Sequence, residues 1–375
     1  MHIRLLEPTD TPSVKALWRI SFPEDSAAFV DWFFQTRYRP ENTWGVFSAG
    51  QLVANLQAIP QSLCLRGKTL PVHMIVGAAT HPDARRKGHM RRLIRHVFGI
   101  LRDRHPASIL YPFRFSFYRQ MGYATISERI WSSVPLSALP SFPVPNVHTM
   151  DSKQFFANIP NIQESFCARF DGHPLPSSDD YRFRFQEFQI EQAEGMMADS
   201  QDWYAYFSQK NSICTIHQMA YTSFYALKSC LSALAHFKQP TRILFPLPRQ
   251  DSLYEWLSDA RGLYSLEPFL MLRILNIPAF LTGMQCVKND KTVIQVDDPF
   301  LETSTRWQMD CRNEQILRVT AVPFSHPADV RLSMLDFTRW ACGIVSVSDL
   351  DFEGVEHAEA LSFLAPQNNY FYDMY

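Results

Sequence analysis

The sequence predicts a multidomain protein whose α/β architecture gives way to α+β architecture near its C-terminal end. Its length of 375 residues corresponds to roughly two or three domains. Short apolar runs alternate with amphipathic helical segments as far as residue 265, as is typical of α/β folds. After that point three strand candidates precede two helix candidates, which is an α+β order. We therefore expect domains at 1–138, 147–265 and 266–375.

The composition is that of a folded protein without a nucleic-acid or membrane partner. Hydrophobic residues make up 46% of the chain, so large cores are possible. The 36 basic residues are balanced by 37 acidic ones, which argues against a nucleic-acid surface. No apolar run approaches the roughly 20 residues of a membrane span. The seven cysteines are scattered, so we expect neither a disulfide framework nor a zinc or other metal site. Because we also see no signal peptide, we expect a cytoplasmic protein.

Local patterns place each element of the first domain. Asp10 is a candidate N-cap, Ala49-Gly50 predicts a hairpin turn, and Gly122 is a candidate left-handed C-cap. The expected order is strand 2–7, helix 11–22, helix 26–37, strands 43–49, 51–58 and 70–79, helix 86–104, strand 108–111, a short helix between 113 and 122, and strand 124–134.

The most informative segment joins strand 70–79 to the helix that follows it. There Arg85-Arg86-Lys87-Gly88-His89-Met90 opens an amphipathic helix after a Pro-containing turn. The first turn of a helix has free N–H groups and a dipole that favours negative charge, and glycine allows close approach. The spacing is neither that of a Walker loop nor that of a dinucleotide loop. The segment predicts a phosphate-rich ligand; the alternatives are a solvated basic helix face and nucleic acid.

The rest of the chain is organised less clearly. Prolines between 135 and 147 predict a linker. The second domain repeats the helix–strand–helix rhythm but lacks an Arg-x-x-Gly turn, so a duplicated unit would have lost anion binding. Its predicted elements are helices over 152–158, 161–169 and 221–237, a strand from Arg242, and a short helix to 260. Those of the third domain are strands 291–297, 305–311 and 314–321, then helices over 330–342 and 355–363.

Four stretches resemble the Eis (enhanced intracellular survival) branch of the GNAT N-acetyltransferases. They begin at Ala78, Phe117, Leu272 and Asn369, and the likeness covers the whole chain. The resemblance implies an active GNAT unit, a degenerate GNAT-like unit and a C-terminal domain similar to sterol carrier proteins. It also implies that acetyl-CoA is the co-substrate and that a primary amine attacks the thioester directly. The acceptor classes it suggests are aminoglycosides and lysine-like amines, and the assembly it suggests is a homotrimer or homohexamer.

The same resemblance assigns roles to individual residues. Backbone amides near Ala78–Thr80 would hold the pantetheine, and those of Arg86–Met90 would hold the pyrophosphate. Tyr118 would be the general acid, since a phenol with a pKa near 10 stays protonated at neutral pH. The α-carboxylate of Tyr375 would be the base, although its intrinsic pKa of roughly 3.5 requires burial or a bridging water. The complete predicted donor-binding set is Ala78, Ala79, Thr80, Arg85, Arg86, Lys87, Gly88, His89 and Met90.

Several alternatives stay open at this level. Tyr123 is expected to be a packing residue, and Asp373 is a second carboxylate near the end of the chain. Glu24 and Asp25 either line an amine pocket or are ordinary cap and surface acids. Asp83 would repel a polyphosphate unless it faces solvent or pairs with an arginine. A non-catalytic acyl-CoA sensor or lipid-binding protein is the alternative function.

Overall fold

A computed structural model describes residues 1–372, without the side chains of Ser152 and Gln154. The chain divides into two compact units. Unit 1 contains residues 1–126 and 270–369, and unit 2 contains residues 127–269 and the tail from Tyr370 onward. Most of the predicted third domain thus belongs to the same compact unit as the first. The division into three domains stays a prediction.

The elements are numbered along the chain. The strands are β1 (His2–Leu5), β2 (Thr43–Ser48), β3 (Gln51–Leu65), β4 (Lys68–Thr80), β5 (Ala107–Leu110), β6 (Ala124–Pro135), β7 (Val147–Thr149), β8 (His173–Pro174), β9 (Glu194–Ala198), β10 (Trp203–Lys210), β11 (Ile213–Tyr221), β12 (Arg242–Leu247), β13 (Tyr264–Ile274), β14 (Asp290–Asp298), β15 (Thr303–Arg312), β16 (Gln315–Val322) and β17 (Val330–Ser333). The helices are α1 (Thr11–Ser21), α2 (Ala27–Thr36), α3 (His89–Leu101), α4 (Phe115–Arg119), α5 (Ser152–Cys167), α6 (Ser178–Ile190), α7 (Phe224–Lys238), α8 (Ile277–Leu281), α9 (Met334–Ala341) and α10 (Val347–Phe352).

The main sheet of unit 1 has the strand order β1-β2-β3-β4-β5-β13. Its neighbours are antiparallel except β4 and β5, which are parallel and are connected through α3. Helix α3 buries one face, formed by Leu93, Ile94, Val97, Phe98 and Leu101, in a cluster with side chains of β2, β3 and β4. This spacing is the period of an amphipathic helix, and the packing fixes α3 directly after the end of β4.

Residues 290–333 of unit 1 form a second sheet with the order β16-β15-β14-β17. The tip of the β3–β4 hairpin binds segments that precede and follow this second sheet in the sequence. Buried Arg66 donates from Nε to the carbonyl of Ala341 at 2.7 Å and from Nη2 to that of Ala365 at 2.8 Å. Lys68 donates to the carbonyls at the end of α8, with 2.6 Å from Nζ to the oxygen of Ala279. Two helix ends, whose carbonyls lack partners within the helix, are thereby satisfied.

Unit 2 repeats the strand and helix order of the main sheet. Its sheet has the order β7-β9-β10-β11-β12-β6, with β11 and β12 parallel and connected through α7. The turn before α7 carries no basic residue. Ser223 caps that helix, with its Oγ accepting the N–H of Ala226 at 3.1 Å. The start of α7 therefore has a side-chain cap and no basic turn, unlike the Arg-Arg-Lys-Gly segment before α3.

The predicted break before Pro160 is wrong. Residues 152–158 and 161–169 do not form two helices, because α5 runs continuously from Ser152 to Cys167 through Pro160. A proline inside a helix costs about 3 kcal/mol. Here Phe155, Ile159, Ile162 and Phe166 are all buried at helical spacing, and burying side chains of this size stabilises the helix by more.

Other helix boundaries also differ from the sequence predictions. The expected helix over 250–260 is only a short 3-10 turn at Leu253–Glu255, and that over 355–363 is a 3-10 turn at Ala358–Leu361. The expected helix over 330–342 begins as strand β17, because these residues pair with β14. The hydrogen-bonding partner of a strand comes from elsewhere in the chain, so local periodicity could not reveal it.

Candidate active site

A β-bulge near the end of β4 shapes the centre of the site. Gly77 and Ala78 together face Leu56 of β3, because the register shifts between Asn55 and Gln57. Gly77 has a φ of 60°, and its carbonyl accepts a hydrogen bond from Nδ2 of Asn55 at 3.1 Å. A bulge of this kind kinks the strand and changes the direction of the following backbone.

Strands β4 and β5 separate beside the bulge. Their parallel ladder contains Val72, His73 and Met74 of β4 and extends no further. Strand β5 ends at Leu110, whereas β4 continues to Thr80. Beyond Met74, the edge of β4 that faces β5 therefore has no ladder partner among the strands described. Unpaired backbone of this kind is able to bind an extended ligand.

The turn after β4 ends at an open helix N-terminus. Helix α3 begins at His89 and not at residue 86, because Arg86 and Gly88 have left-handed φ values of 62° and 76°. Among the described residues, no acceptor takes the backbone N–H groups of His89, Met90 and Arg91, and no side chain caps the helix. A Cβ at Gly88 would have no heavy atom within 4 Å. Free donors beside open space are what an anion requires.

The basic side chains of this turn have different functions. Nε of Arg85 donates to the carbonyl of Thr80 at 3.1 Å, and Nζ of Lys87 donates to that of Asp83 at 2.8 Å. Both bonds brace the turn. Arg86 is exposed and makes no hydrogen bond within the described chain, which leaves its guanidinium available for phosphate. The Asp83 carboxylate is 92% exposed, so it faces solvent.

Two more residues of the predicted donor-binding set lie at the start of α3. His89 and Met90 are both half-buried. Burial, together with nearby Arg92 and Lys87, lowers the pKa of His89, so its imidazole is neutral at neutral pH. The charge at this helix end therefore comes from arginine and lysine and not from histidine.

Tyr118 lies on α4 with its side chain only 3% exposed. The rings of Phe117, Phe113 and Tyr123 surround it at centroid distances of 5.1, 5.6 and 5.8 Å. Burial raises the pKa of Tyr118, so the phenol keeps its proton at neutral pH. Its hydroxyl has no partner in the described chain, and it is not one of the fully enclosed polar atoms. The group is therefore a protonated donor that has no acceptor among residues 1–372.

Tyr123 differs from Tyr118 in this respect. Its side chain is fully buried, and its hydroxyl lies 2.6 Å from Oγ of Ser108. Burial again raises the pKa. The hydroxyl already has an internal partner, which matches the expectation that Tyr123 is a packing residue.

The acidic loop between α1 and α2 is tied to the bulge through Trp18. The indole Nε1 donates to Oδ2 of Asp25 at 2.7 Å. A Cβ added to Gly77 would lie 2.9 Å from Cε3 of Trp18, which shows that this ring packs directly on the bulge. Sequence reasoning named Asp25 but missed Trp18 and Gly77. A glycine inside an apolar strand is the signal that could have identified the bulge.

The described part of the C-terminal tail packs within unit 2. The N–H of Tyr370 donates to the carbonyl of Asp171 at 2.9 Å, and the N–H of Phe371 donates to Oγ of Ser127 at 2.9 Å. The side chains of both tail residues are buried. Asp373 and the predicted base, Tyr375, lie outside the described residues.

The class of protein follows from this geometry and from one family match. Residues 2–126 match the sequence profile of the acetyltransferase (GNAT) domain. The chain therefore contains a GNAT acetyltransferase domain, of a family that takes the acyl group from an acyl-coenzyme A, and is an acyltransferase. No curated protein matches the chain. No described helix is long and apolar enough to cross a membrane.

Solved structures share the fold over the whole chain. A protein from Enterococcus faecalis V583, described as of unknown function and a probable N-acyltransferase, has a TM-score of 0.84 at 16% identity, covering 100% of this chain and 99% of that one. A GCN5-related N-acetyltransferase from Kribbella flavida has a TM-score of 0.81 at 18% identity, and Eis1 from Mycobacterium abscessus has 0.79 at 15%, with both chains fully covered in each comparison. At these identities the likeness shows the fold alone.

Proposed function

We propose that the protein is an acetyl-CoA-dependent N-acetyltransferase that acts on primary amines, as in the Eis branch. The observation that carries the proposal is the open N-terminus of α3, with its free N–H groups and basic turn, next to the unpaired edge of β4. Arg86 and the amides of His89 and Met90 would hold the pyrophosphate. The bulge at Ala78 would present backbone amides to the pantetheine and the acetyl carbonyl.

In the proposed reaction the amine nitrogen forms a bond to the acetyl carbon, and the bond between that carbon and sulfur breaks. The attacking ammonium must first lose a proton, and the departing thiolate must gain one. Tyr118 supplies the proton to the thiolate. Its buried phenol is protonated, and no acceptor in the described part of the chain competes for the proton. The Trp18-anchored carboxylate of Asp25 is a candidate for attracting a cationic acceptor toward the bulge.

Thiol release from acetyl-CoA tests the proposal directly. Aminoglycosides, polyamines and lysine derivatives should be supplied as separate acceptors. We expect turnover that depends on one of these amines, and a decrease in kcat of about 100-fold or more in Tyr118→Phe, since general acid catalysis contributes roughly 10²–10⁴-fold. Donor affinity should stay within about twofold in that variant, because the change removes one hydroxyl. Absence of thiol release with every amine would contradict the proposed activity.

The base needs an experiment of its own, because its predicted residue lies outside the described chain. Deleting residues 373–375 keeps the described contacts of Tyr370 and Phe371. Adding two glycines after Tyr375 keeps every side chain and moves the carboxylate. If the Tyr375 carboxylate is the base, both changes abolish turnover while Asp373→Asn does not. Turnover that survives the deletion would refute this base and retain the acetyltransferase.

A further inference from the structure

Arg273 is a fully buried arginine on β13, in the part of unit 1 that follows residue 269. Its Nη1 donates to the carbonyl of Met121, and its Nη2 donates to Oδ2 of Asp298. The guanidinium carbon lies 5.1 Å from the ring centroid of Phe98 and 5.2 Å from that of Phe300. The same side chain therefore contacts α3, the turn after α4 and the loop after β14.

The turn after α4 depends on this contact. Met121 lies just beyond the last residue of α4, where carbonyls lack partners within the helix. Gly122 follows with a φ of 79°. A Cβ there would clash with Nη1 of Arg273 and lie 3.0 Å from Cγ of Met334. Only glycine allows the guanidinium to approach this closely, so the turn and Arg273 fit each other.

The charge of Arg273 is compensated inside the core. Burial lowers the pKa of Arg273, and the Asp298 carboxylate opposes this effect. Oδ1 of Asp298 accepts the N–H groups of Phe300 and Leu301 at 3.1 and 3.2 Å. Asp298 thereby connects Arg273 to the loop whose Phe300 ring packs against Phe98 of α3 at 5.9 Å. Nε of Arg273 has no hydrogen-bond partner among the described residues, so the geometry of this buried pair is held through Nη1, Nη2 and the two oxygens of Asp298.

We infer that Arg273 is a positioning residue for the general acid: it holds the Met121–Gly122 turn and, through it, the phenol of Tyr118. The inference rests on the proposed function, because Tyr118 has a catalytic role only there. By this inference a residue of segment 270–369 positions a catalytic side chain of segment 1–126. The hydrogen-bonded chain is short, since Met121 also donates its N–H to the carbonyl of Tyr118 at 2.9 Å.

The test removes the ion pair without leaving a buried charge. Arg273→Met alone would leave the Asp298 carboxylate unpaired in the core, so it is combined with Asp298→Asn, which keeps an oxygen for the N–H groups of Phe300 and Leu301. The matched control is Arg66→Met. Arg66 is also fully buried, and the carbonyls that it binds are those of Ala341 and Ala365 rather than that of Met121.

The first measurement compares kcat in two backgrounds. We expect Arg273→Met/Asp298→Asn to lower kcat about 10- to 100-fold in the wild-type background, as misplacement of a catalytic group does. In the Tyr118→Phe background the same double change should lower kcat by less than about a further twofold. The hydroxyl that Arg273 positions is already absent there, so both changes act on one group. Acetyl-CoA affinity should change less than about twofold in either background. Equal losses of kcat in the two backgrounds would show a merely structural effect and overturn the inference.

A second measurement does not depend on turnover. Fluorotyrosine placed at position 118 alone reports the environment of the phenol through its fluorine resonance. We expect the resonance to shift in Arg273→Met/Asp298→Asn and to stay in place in the control Arg66→Met. An unchanged resonance in the double variant overturns the positioning role. Without amine-dependent thiol release in the wild type the proposed function fails, and this resonance still decides whether Arg273 positions Tyr118.

Discussion

Replacing Gly77 by alanine should destabilise unit 1, by an amount that can be worked from the bulge geometry. An L-residue in the left-handed region at a φ of 60° costs about 1–2 kcal/mol. The new Cβ would also lie 2.9 Å from Cε3 of Trp18 and closer still to Cζ3, and overpacking of this kind costs about 1–3 kcal/mol. The sum is about 2–5 kcal/mol, a large part of the stability of an ordinary domain.

Two other glycines separate these contributions. A Cβ at Gly88 has open space but a φ of 76°, so Gly88→Ala should cost only the backbone part, about 1–2 kcal/mol. Gly99 lies inside α3 with neither a positive φ nor a neighbour within 4 Å, so Gly99→Ala should stabilise by up to about 1 kcal/mol.

Urea unfolding of the full chain, followed by tryptophan fluorescence, measures the series. Trp18→Leu in the Gly77→Ala background should recover the steric part of the loss and leave the backbone part. If Gly77→Ala unfolds at the same urea concentration as Gly99→Ala, the tight packing of Trp18 on the bulge is not present. If Trp18→Leu recovers nothing, the clash has been assigned to the wrong neighbour.

Three further predictions use other parts of unit 1. Arg66→Met leaves the carbonyls of Ala341 and Ala365 without their donor and should lower the free energy of unfolding by about 2–4 kcal/mol in chemical unfolding. A loss under about 0.5 kcal/mol would refute that contact. Arg86→Gly relieves a left-handed φ, so the free energy of unfolding should rise by up to about 1 kcal/mol. The change also removes a charge, so acetyl-CoA binding should weaken several-fold in titration, and unchanged affinity would exclude a phosphate contact. Burial lowers the pKa of His73 to about 3, so the unfolded chain, with a pKa near 6.5, binds the extra proton. The stability that the neutral His73 contributes is therefore fully present above about pH 6.5. Below that pH the free energy of unfolding falls by up to about 1.4 kcal/mol per pH unit as the pH decreases toward 3. His73→Leu should flatten this dependence in unfolding measured at pH 7.5, 6.5 and 5.5, and an equally steep slope would refute the burial of a neutral imidazole.

Local sequence patterns were sufficient for much of unit 1. The helical spacing of Leu93, Ile94 and Val97 predicts α3, and the Arg-Arg-Lys-Gly turn predicts where the helix begins to within a few residues. These signals are short-range, since they depend on residues three or four positions apart. The start of α3 was misplaced because Arg86 and Gly88 adopt left-handed conformations that a basic amphipathic pattern does not reveal.

Contacts between distant residues set the limits of that reasoning. The local preference of Pro160 predicts a break, but the buried side chains of α5 on either side of it keep the helix continuous. The apolar spacing over residues 330–342 predicts a helix, but residues 330–333 form β17 because β14 provides a parallel partner. In both cases the free energy of tertiary packing exceeds a local preference of a few kcal/mol.

The sequence by itself determined the class of the fold, the basic turn at the start of α3 and the tyrosine on α4, because each is specified by residues within a few positions of one another. The tertiary structure alone decided the surroundings in which they act. Gly77 forms a bulge because Trp18 and Asn55 pack against it, and Arg273 reaches the turn beside Tyr118 from 152 residues further along the chain. A buried charge or a strained glycine is stable only where its partners converge, and that convergence is a property of the folded chain.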